Sequence, residues 1–166
     1  MMDTLLKIKV FLVDDDKMFA ELLKNALSEK RIEIRIFLTG EECLENIQKE
    51  APEIVILDYY LSTNCAFAMN GIQVLNKIKQ LSPGTEVILL SSSNTADIAL
   101  DSVKYGAYDY IAKDTSAVGK IKNTVRHICD NIEQNYDFEK EKKKLRRVNI
   151  AVVAIVIIAY ILNRLF

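Results

Sequence analysis

Five short runs rich in β-branched and aliphatic residues, Ile8–Val13, Ile32–Phe37, Ile54–Leu57, Val87–Leu90 and Tyr108–Ala112, alternate along the chain with stretches of helical character. Such alternation folds as a parallel sheet, because the return to a parallel neighbour needs a crossover long enough for a helix. The runs at Ile54 and Val87 are apolar nearly throughout, as strands are when helices cover both faces of a sheet. The expected fold is therefore α/β, a doubly wound (βα)₅ parallel sheet of five strands.

Helix signals agree with this division. Phe19, Leu22, Leu23, Ala26 and Leu27 recur with helical spacing, and Thr39 followed by Glu42 reads as a capping box that starts the second helix near Gly40. Pro52 and Pro83-Gly84 stand just before the third and fourth runs, where helices must stop. After the fifth run, Val118, Ile121, Val125, Ile128 and Ile132 form a stripe suited to packing on the sheet, in preference to a coiled-coil seam.

Beyond Asn135 the stripe fades into a basic run in which Lys140, Lys142, Lys143, Lys144, Arg146 and Arg147 are diluted by Glu139, Glu141 and Leu145. The last block, Val148–Phe166, is apolar on every side of a helix except at Asn149, Asn163 and Arg164. Three segments are expected: a globular domain over 1–134, a charged basic helical linker over 135–147, and an apolar tail helix over 148–166. Basic residues directly before an apolar segment follow the positive-inside order. The tail, as a helix of about 28 Å at ~1.5 Å per residue, nearly matches a hydrocarbon core of roughly 30 Å. It is therefore expected to cross the inner membrane, with the globular domain in the cytoplasm. An interfacial helix or an oligomeric bundle are the alternatives, because the uninterrupted run Ile150–Leu162 is short.

The balance of 22 basic and 23 acidic residues gives no reason to expect a nucleic-acid partner. Cys43, Cys65 and Cys129 lack the close pairs that zinc or redox sites need and fit a reducing cytosol. No apolar signal-peptide core follows the N-terminus.

Ligands of a parallel sheet bind in the crevice at the carboxyl ends of the strands. Here those positions carry reactive groups: Asp14, Asp15 and Asp16 follow the first run, Asp58 ends the third, Ser91 ends the fourth and Lys113 follows the fifth. Three carboxylates in one crevice repel one another unless a cation lies among them. All-oxygen ligation by few protein groups suits a hard divalent ion, and Mg²⁺ fits best. Beside such an ion a carboxylate can act as a nucleophile toward phosphorus, because metal and ammonium take up charge on the transferred group. Asp58, Ser91 and Lys113 then supply nucleophile, hydrogen-bond donor and cation.

With "VDDD" after the first run, "VILD" at the third, "VILLS" at the fourth and "YIAK" at the fifth, the chain resembles the response-regulator receiver family over roughly residues 7–131. The resemblance implies a flavodoxin-like fold with Asp58 as phosphoacceptor. It further implies Asp15 as principal Mg²⁺ ligand, helped by Asp14 largely through water, with the backbone carbonyl of Tyr60 completing the set. Ser91 is expected to donate to a phosphoryl oxygen, Lys113 to pair with it, and Tyr110 to act as an aromatic switch. The phosphoryl donor implied is a histidine kinase or phosphotransfer protein. The output would be contact with a downstream protein, and a homodimer is compatible. The chain is expected to be a self-phosphorylating acceptor and slow autophosphatase, not an enzyme acting on an external metabolite.

Two departures bear on that expectation. Asp114 stands where family members often have Pro, so no cis peptide is expected there. The loop Tyr59–Asn70 is long, lacks the common Pro and contains Cys65, Ala66, Phe67, Ala68 and Met69, read as a loop that folds its apolar residues onto the third helix, with a lid or partner surface as the alternative. These departures leave a phosphorylation-independent membrane scaffold as the alternative. A haloacid-dehalogenase-like hydrolase, for which Asp14 and Asp16 have the right spacing, explains less of the pattern. His127, the only histidine, has no second ligand nearby and is read as a surface residue.

Overall fold

The computed structural model describes residues 6–61, 69–93 and 95–165, with the side chains of 154–159 and 161–165 outside that description. The elements run β1 (Ile8–Val13), α1 (Lys17–Ala26), β2 (Ile32–Phe37), α2 (Gly40–Glu50), β3 (Ile54–Asp58), α3 (Gly71–Leu81), β4 (Glu86–Ser91), α4 (Ala96–Lys104), β5 (Asp109–Ala112) and α5 (Ala117–Leu165). The strands form one parallel sheet in the order β2-β1-β3-β4-β5. Strand order reverses between β1 and β3, and at such a switch point the flanking loops part and open a crevice.

The expected strands recur with small shifts at their ends, and each shift has a cause in the ladder. β3 extends to Asp58 because Asp58 pairs with Leu90 and the Tyr59 amide still donates to the Leu90 carbonyl at 2.8 Å. β4 takes in Glu86 and Ser91, which pair with Ile54 and Ala112. β5 begins one residue later than the aromatic pattern suggests, with Tyr108 left exposed. Pairing, not apolarity, sets where a strand stops.

One face of the sheet packs on α2 and α3. Phe11, Val55, Leu57, Val87 and Leu89 join Cys43 and Ile47 of α2 and Val74, Leu75 and Ile78 of α3 in a single buried cluster. Their strand neighbours Val10, Leu12, Ile56 and Ile88 are equally buried and, by the alternation of a strand, face the other way. Each such aliphatic side chain contributes about 1.5–3 kcal/mol on burial. On α1, Ala20 and Leu23 are buried, followed by Leu27 at its C-cap, whereas Leu22 is exposed. At 100° per residue the adjacent leucines of a helix cannot both face one sheet, and Leu23 takes the inner position.

Caps set the helix starts. Thr39 Oγ1 accepts from the Glu42 amide at 3.2 Å, as expected, while the Glu42 carboxylate reaches back to the Leu38 amide at 3.4 Å, one residue before the cap. A full capping box instead opens α3, where Asn70 and Gln73 exchange two hydrogen bonds of 3.0 Å. In the long loop before it, Cys65, Ala66, Phe67 and Ala68 lie outside the described residues; Met69 is partly buried against the core, and its amide donates to Glu41 at 3.1 Å.

The chain divides into two compact units, Met1–Ile128 and Cys129–Phe166. Within the first, Ile121, Val125 and Ile128 of the expected stripe are buried on α5 together with Ala117, while Val118 is half-buried. Within the second, the helix continues to Leu165 and Leu145, Val148, Ile150, Val152 and Val153 are exposed. Among the described residues no helix is long and apolar enough to cross a membrane. The spanning tail expected over 148–166 falls partly on side chains outside that description.

α3 approaches the end of β3 at Gly71. A Cβ there would lie 2.5 Å from the Asp58 carbonyl oxygen and 2.6 Å from Tyr59 Cα, both backbone atoms that cannot swing away. At Gly84 a Cβ would meet nothing within 4 Å. Gly71→Ala is expected to lower unfolding free energy by about 1–3 kcal/mol in urea denaturation, the usual range for overpacking. Gly84→Ala should remain within roughly 0.5 kcal/mol of wild type; equal values for the two variants would contradict this close approach.

Candidate functional site

The carboxyl ends of β1, β3 and β5 bring three groups to one point. Asp14 follows β1, with its amide held by the Phe37 carbonyl at 3.1 Å. Asp58 ends β3, and Lys113 follows β5 with its amide on the Ser91 carbonyl at 2.8 Å. These backbone bonds leave the side chains little freedom. Lys113 Nζ donates to Asp14 Oδ2 at 2.8 Å and to Asp58 Oδ2 at 2.7 Å. All three side chains are withdrawn from water, at 1% exposure for Asp14, 6% for Asp58 and 16% for Lys113.

The second oxygen of each carboxylate meets a backbone amide: Asp14 Oδ1 accepts from Asp16 at 3.0 Å, and Asp58 Oδ1 from Tyr60 at 3.3 Å. The Phe19 ring lies 4.8 Å from the Lys113 ammonium and offers it a π face. Asp15 completes an acidic group, with carboxylate oxygens of Asp14, Asp15 and Asp58 within 4.8 Å of one another.

Three carboxylates face one ammonium, so the group carries a surplus of negative charge. Burial raises the pKa values of Asp14 and Asp58 above the ordinary carboxylate range; Lys113 opposes this only in part, and each gains from a neighbouring carboxylate. Burial pulls the Lys113 ammonium down, but hydrogen bonds and charge from Asp14 and Asp58 outweigh it and the net shift is upward. Surplus negative charge and an all-oxygen donor set suit a hard divalent cation, and Mg²⁺ typically takes one or two carboxylates and retains several waters. Asp14, Asp15 and Asp58 could hold such an ion. Asp16, the third member of the acidic triplet, is turned elsewhere: it caps α1 by accepting from the Met18 and Phe19 amides at 2.9 and 3.1 Å.

Of the remaining expected residues, Tyr60 meets this group through its amide on Asp58 Oδ1, and the Ser91 and Tyr110 hydroxyls share another acceptor. The Ser91 hydroxyl is buried and donates to the Ser93 carbonyl at 2.9 Å. The Tyr110 hydroxyl donates to that same carbonyl at 2.7 Å, with its ring packed against the core cluster. At the end of β3 the Tyr59 carbonyl is committed to the Gly71 amide at 2.9 Å, and the next carbonyl along is that of Tyr60.

Asp114, the departure after Lys113, accepts from the Ser116 amide at 2.7 Å, the Ser116 hydroxyl at 2.6 Å and Lys120 Nζ at 2.9 Å, which together hold its pKa down at about 2. It thus sets the entry to α5, and among the described residues there is no cis peptide bond. His127 is exposed, and Cys43 is buried with its thiol pushed up to about 12.

Sequence reasoning overlooked three roles. The cap at Asp16 was legible, since Asp directly before a helical run is a common N-cap. Phe19 beneath Lys113 and the pairing of Tyr60 with Ser93 depend on contacts between distant segments, which no local pattern announces.

Comparison with known proteins locates the chain. Residues 10–126 match the family described as response regulator receiver domain. The chain is 28% identical over 138 residues to the regulatory protein LuxO of Vibrio cholerae, covering 75% of this chain and 28% of that protein. It is 28% identical over 121 residues to the DNA-binding transcriptional regulator NtrC of Escherichia coli, covering 71% of this chain and 25% of that one. The chain thus spans about a quarter of the length of these relatives. In structure it is similar to the signal receiver domain of a LuxO repressor protein from Vibrio parahaemolyticus, with TM-score 0.69, 26% identity, and 78% of this chain and 95% of that one covered. It is also similar to the BeF3-activated DrrB receiver domain, with TM-score 0.66, 28% identity, and 75% and 99% covered.

The raised pKa values fix a sign. The folded state holds protons on Asp14 and Asp58 that the unfolded chain releases above about pH 4, so the metal-free fold loses stability as pH rises through the raised values. In EDTA at neutral pH, Asp14→Asn is expected to raise the thermal midpoint by about 2–5 °C. Adding Mg²⁺ should raise the wild-type midpoint more than that of the variant. Calorimetry that finds a lower midpoint for the variant, and no Mg²⁺ response in wild type, would contradict the surplus of negative charge.

Proposed function

We propose that this chain, which belongs to the response regulator receiver domain family, accepts a phosphoryl group on Asp58 in a Mg²⁺-dependent reaction and signals by changing which protein binds it. The observation that carries this reading is the Asp58 carboxylate on Lys113 at 2.7 Å, with Asp14 and Asp15 within ligating reach of the same point.

A carboxylate and a phosphoryl group are both anionic, so transfer between them needs positive charge already in place. Lys113 brings its ammonium to the nucleophile without rearrangement. A Mg²⁺ ion held by Asp14, Asp15 and Asp58, with the Tyr60 carbonyl, would neutralise the charge that develops on the equatorial oxygens. One Asp58 oxygen bonds to phosphorus while the donor's bond to phosphorus breaks, and the donor nitrogen of a histidine kinase or phosphotransfer protein leaves with the electron pair. Water later reverses the modification, so the chemistry acts only on the chain itself.

The modified aspartate presents new acceptor oxygens to Ser91. If the Ser91 hydroxyl leaves the Ser93 carbonyl for the phosphoryl group, Tyr110 loses its neighbour on that carbonyl. The two residues could then move together at the β4 and β5 ends, which requires only a few kcal/mol of differential stabilisation. The nearby surface would carry the signal to a downstream protein. A nucleic-acid partner has no support in the charge balance of this chain.

Membrane attachment in the region 148–166 forms part of the proposal. Its support is the order of a basic run, Lys140–Arg147, before an apolar block, together with the exposure of Val148, Ile150, Val152 and Val153. Attachment at the cytoplasmic face of the inner membrane would concentrate the phosphorylated domain where its partners lie.

Acetyl phosphate with Mg²⁺ should label the full chain, with labelling lost in EDTA and reduced at least about tenfold in Asp58→Asn. Unchanged labelling of that variant would remove Asp58 from the reaction. In a separate flotation assay, the full chain should rise with anionic vesicles while a version ending at Asn135 stays at the bottom. Equal distribution of the two would refute attachment through the tail.

A further inference from the structure

Ser93, which the phosphoacceptor chemistry does not use, is the point on which three hydroxyl side chains converge. Its carbonyl accepts from Ser91 Oγ at 2.9 Å and from Tyr110 Oη at 2.7 Å, and its amide donates to Ser91 Oγ at 3.2 Å. Its own hydroxyl lies 3.0 Å from Tyr60 Oη, a bond across 33 residues that ties the exit of β3 to the exit of β4. Tyr60 also donates its amide to Asp58 Oδ1. One residue therefore touches both the carboxylate and the tether.

From this arrangement we propose that Tyr60 and Ser93 form a resting-state latch that holds the Ser91 hydroxyl away from Asp58, and that its strength sets how readily the domain enters the phosphoryl-bound state. The inference rests on Asp58 being the phosphoacceptor and deepens that reading. A serine hydroxyl has one proton and cannot donate to the Ser93 carbonyl and to a phosphoryl oxygen at once. With two donors on it, the Ser93 carbonyl has both lone pairs engaged, so it is a well-satisfied acceptor that competes with an incoming oxygen anion. The tether through Tyr60 keeps that carbonyl in place. Without it the turn after β4 is held by fewer bonds, and Ser91 is released at lower cost. Tyr60 and Ser93 are positioning residues that act through Ser91, with no bond made or broken on either.

The test uses the full chain, Mg²⁺ and beryllofluoride, a non-hydrolysing mimic of the phosphoryl group, with affinity read by calorimetry. Tyr60→Phe and Ser93→Ala should each tighten binding by roughly two- to fivefold, the range expected for one neutral hydrogen bond. The double variant should gain no more than either single one, because both remove the same bond. Ser93→Thr, which keeps the hydroxyl, should restore wild-type affinity, and Ser92→Ala at the exposed neighbour should leave it unchanged. In a Ser91→Ala background, Tyr60→Phe should have no further effect. That last result separates a latch acting through Ser91 from general loosening of the loop.

Unchanged or weakened affinity in Tyr60→Phe, additive gains in the double variant, or a Tyr60→Phe effect that persists without the Ser91 hydroxyl would each overturn the latch. If wild type binds beryllofluoride, Asp58→Asn does not, and Tyr60→Phe matches wild type, the latch alone fails. If wild type does not bind, or Asp58→Asn binds equally, the phosphoacceptor reading fails and takes the latch with it.

Discussion

A single buried ammonium, that of Lys113, bridges Asp14 and Asp58, and the rest of the structure is arranged to bring these three groups together. They come from well-separated parts of the sequence, 99 residues apart for Asp14 and Lys113. A parallel sheet with all its strand ends on one side presents them to a common point. The reversal of strand order between β1 and β3 opens the crevice there. Charge and topology thus select the same place.

The arrangement is electrostatically incomplete. Asp14 and Asp58 are desolvated beside one another, and one lysine offsets only part of the resulting penalty. Burial raises the pKa values of both carboxyl groups, and the metal-free fold loses stability as pH rises through them. Such a site gains free energy from whatever brings positive charge, and this is the physical basis for reading it as a cation-assisted phosphoryl acceptor. Its precision comes from surrounding backbone bonds: Lys113 pinned to Ser91, Asp14 to Phe37, and α3 pressed against β3 through Gly71.

The sheet was legible in the sequence because its pattern is local and repeats: β-branched runs, helical spacing, and Pro or Gly where chains must turn. Asp14, Asp58 and Lys113 were legible because topology requires strand ends to converge, so residue type and position sufficed. What escaped was side-chain direction. The resting direction of the Ser91 hydroxyl, which turns into its own loop onto the Ser93 carbonyl, has no local signal in the sequence. Asp16, which the expected metal site left out, is a helix cap. Asp114 looked like a disruption and instead organises the start of α5 with Ser116 and Lys120.

If Asp58 is modified, the proposed route outward runs through Ser91, Ser93 and Tyr110, joined by hydrogen bonds at the Ser93 carbonyl, beside the direct bond from Lys113 to Asp58. The charge state of one aspartate would then decide which surface a partner meets. Site mapping tests this most directly: the full chain, charged with a phosphodonor and Mg²⁺, is reduced with borohydride to trap the acyl phosphate and digested for mass spectrometry. Phosphoacceptance at this site predicts reduction at position 58 and at no other carboxylate. Reduction elsewhere, or none in a chain shown to carry phosphate, would contradict it.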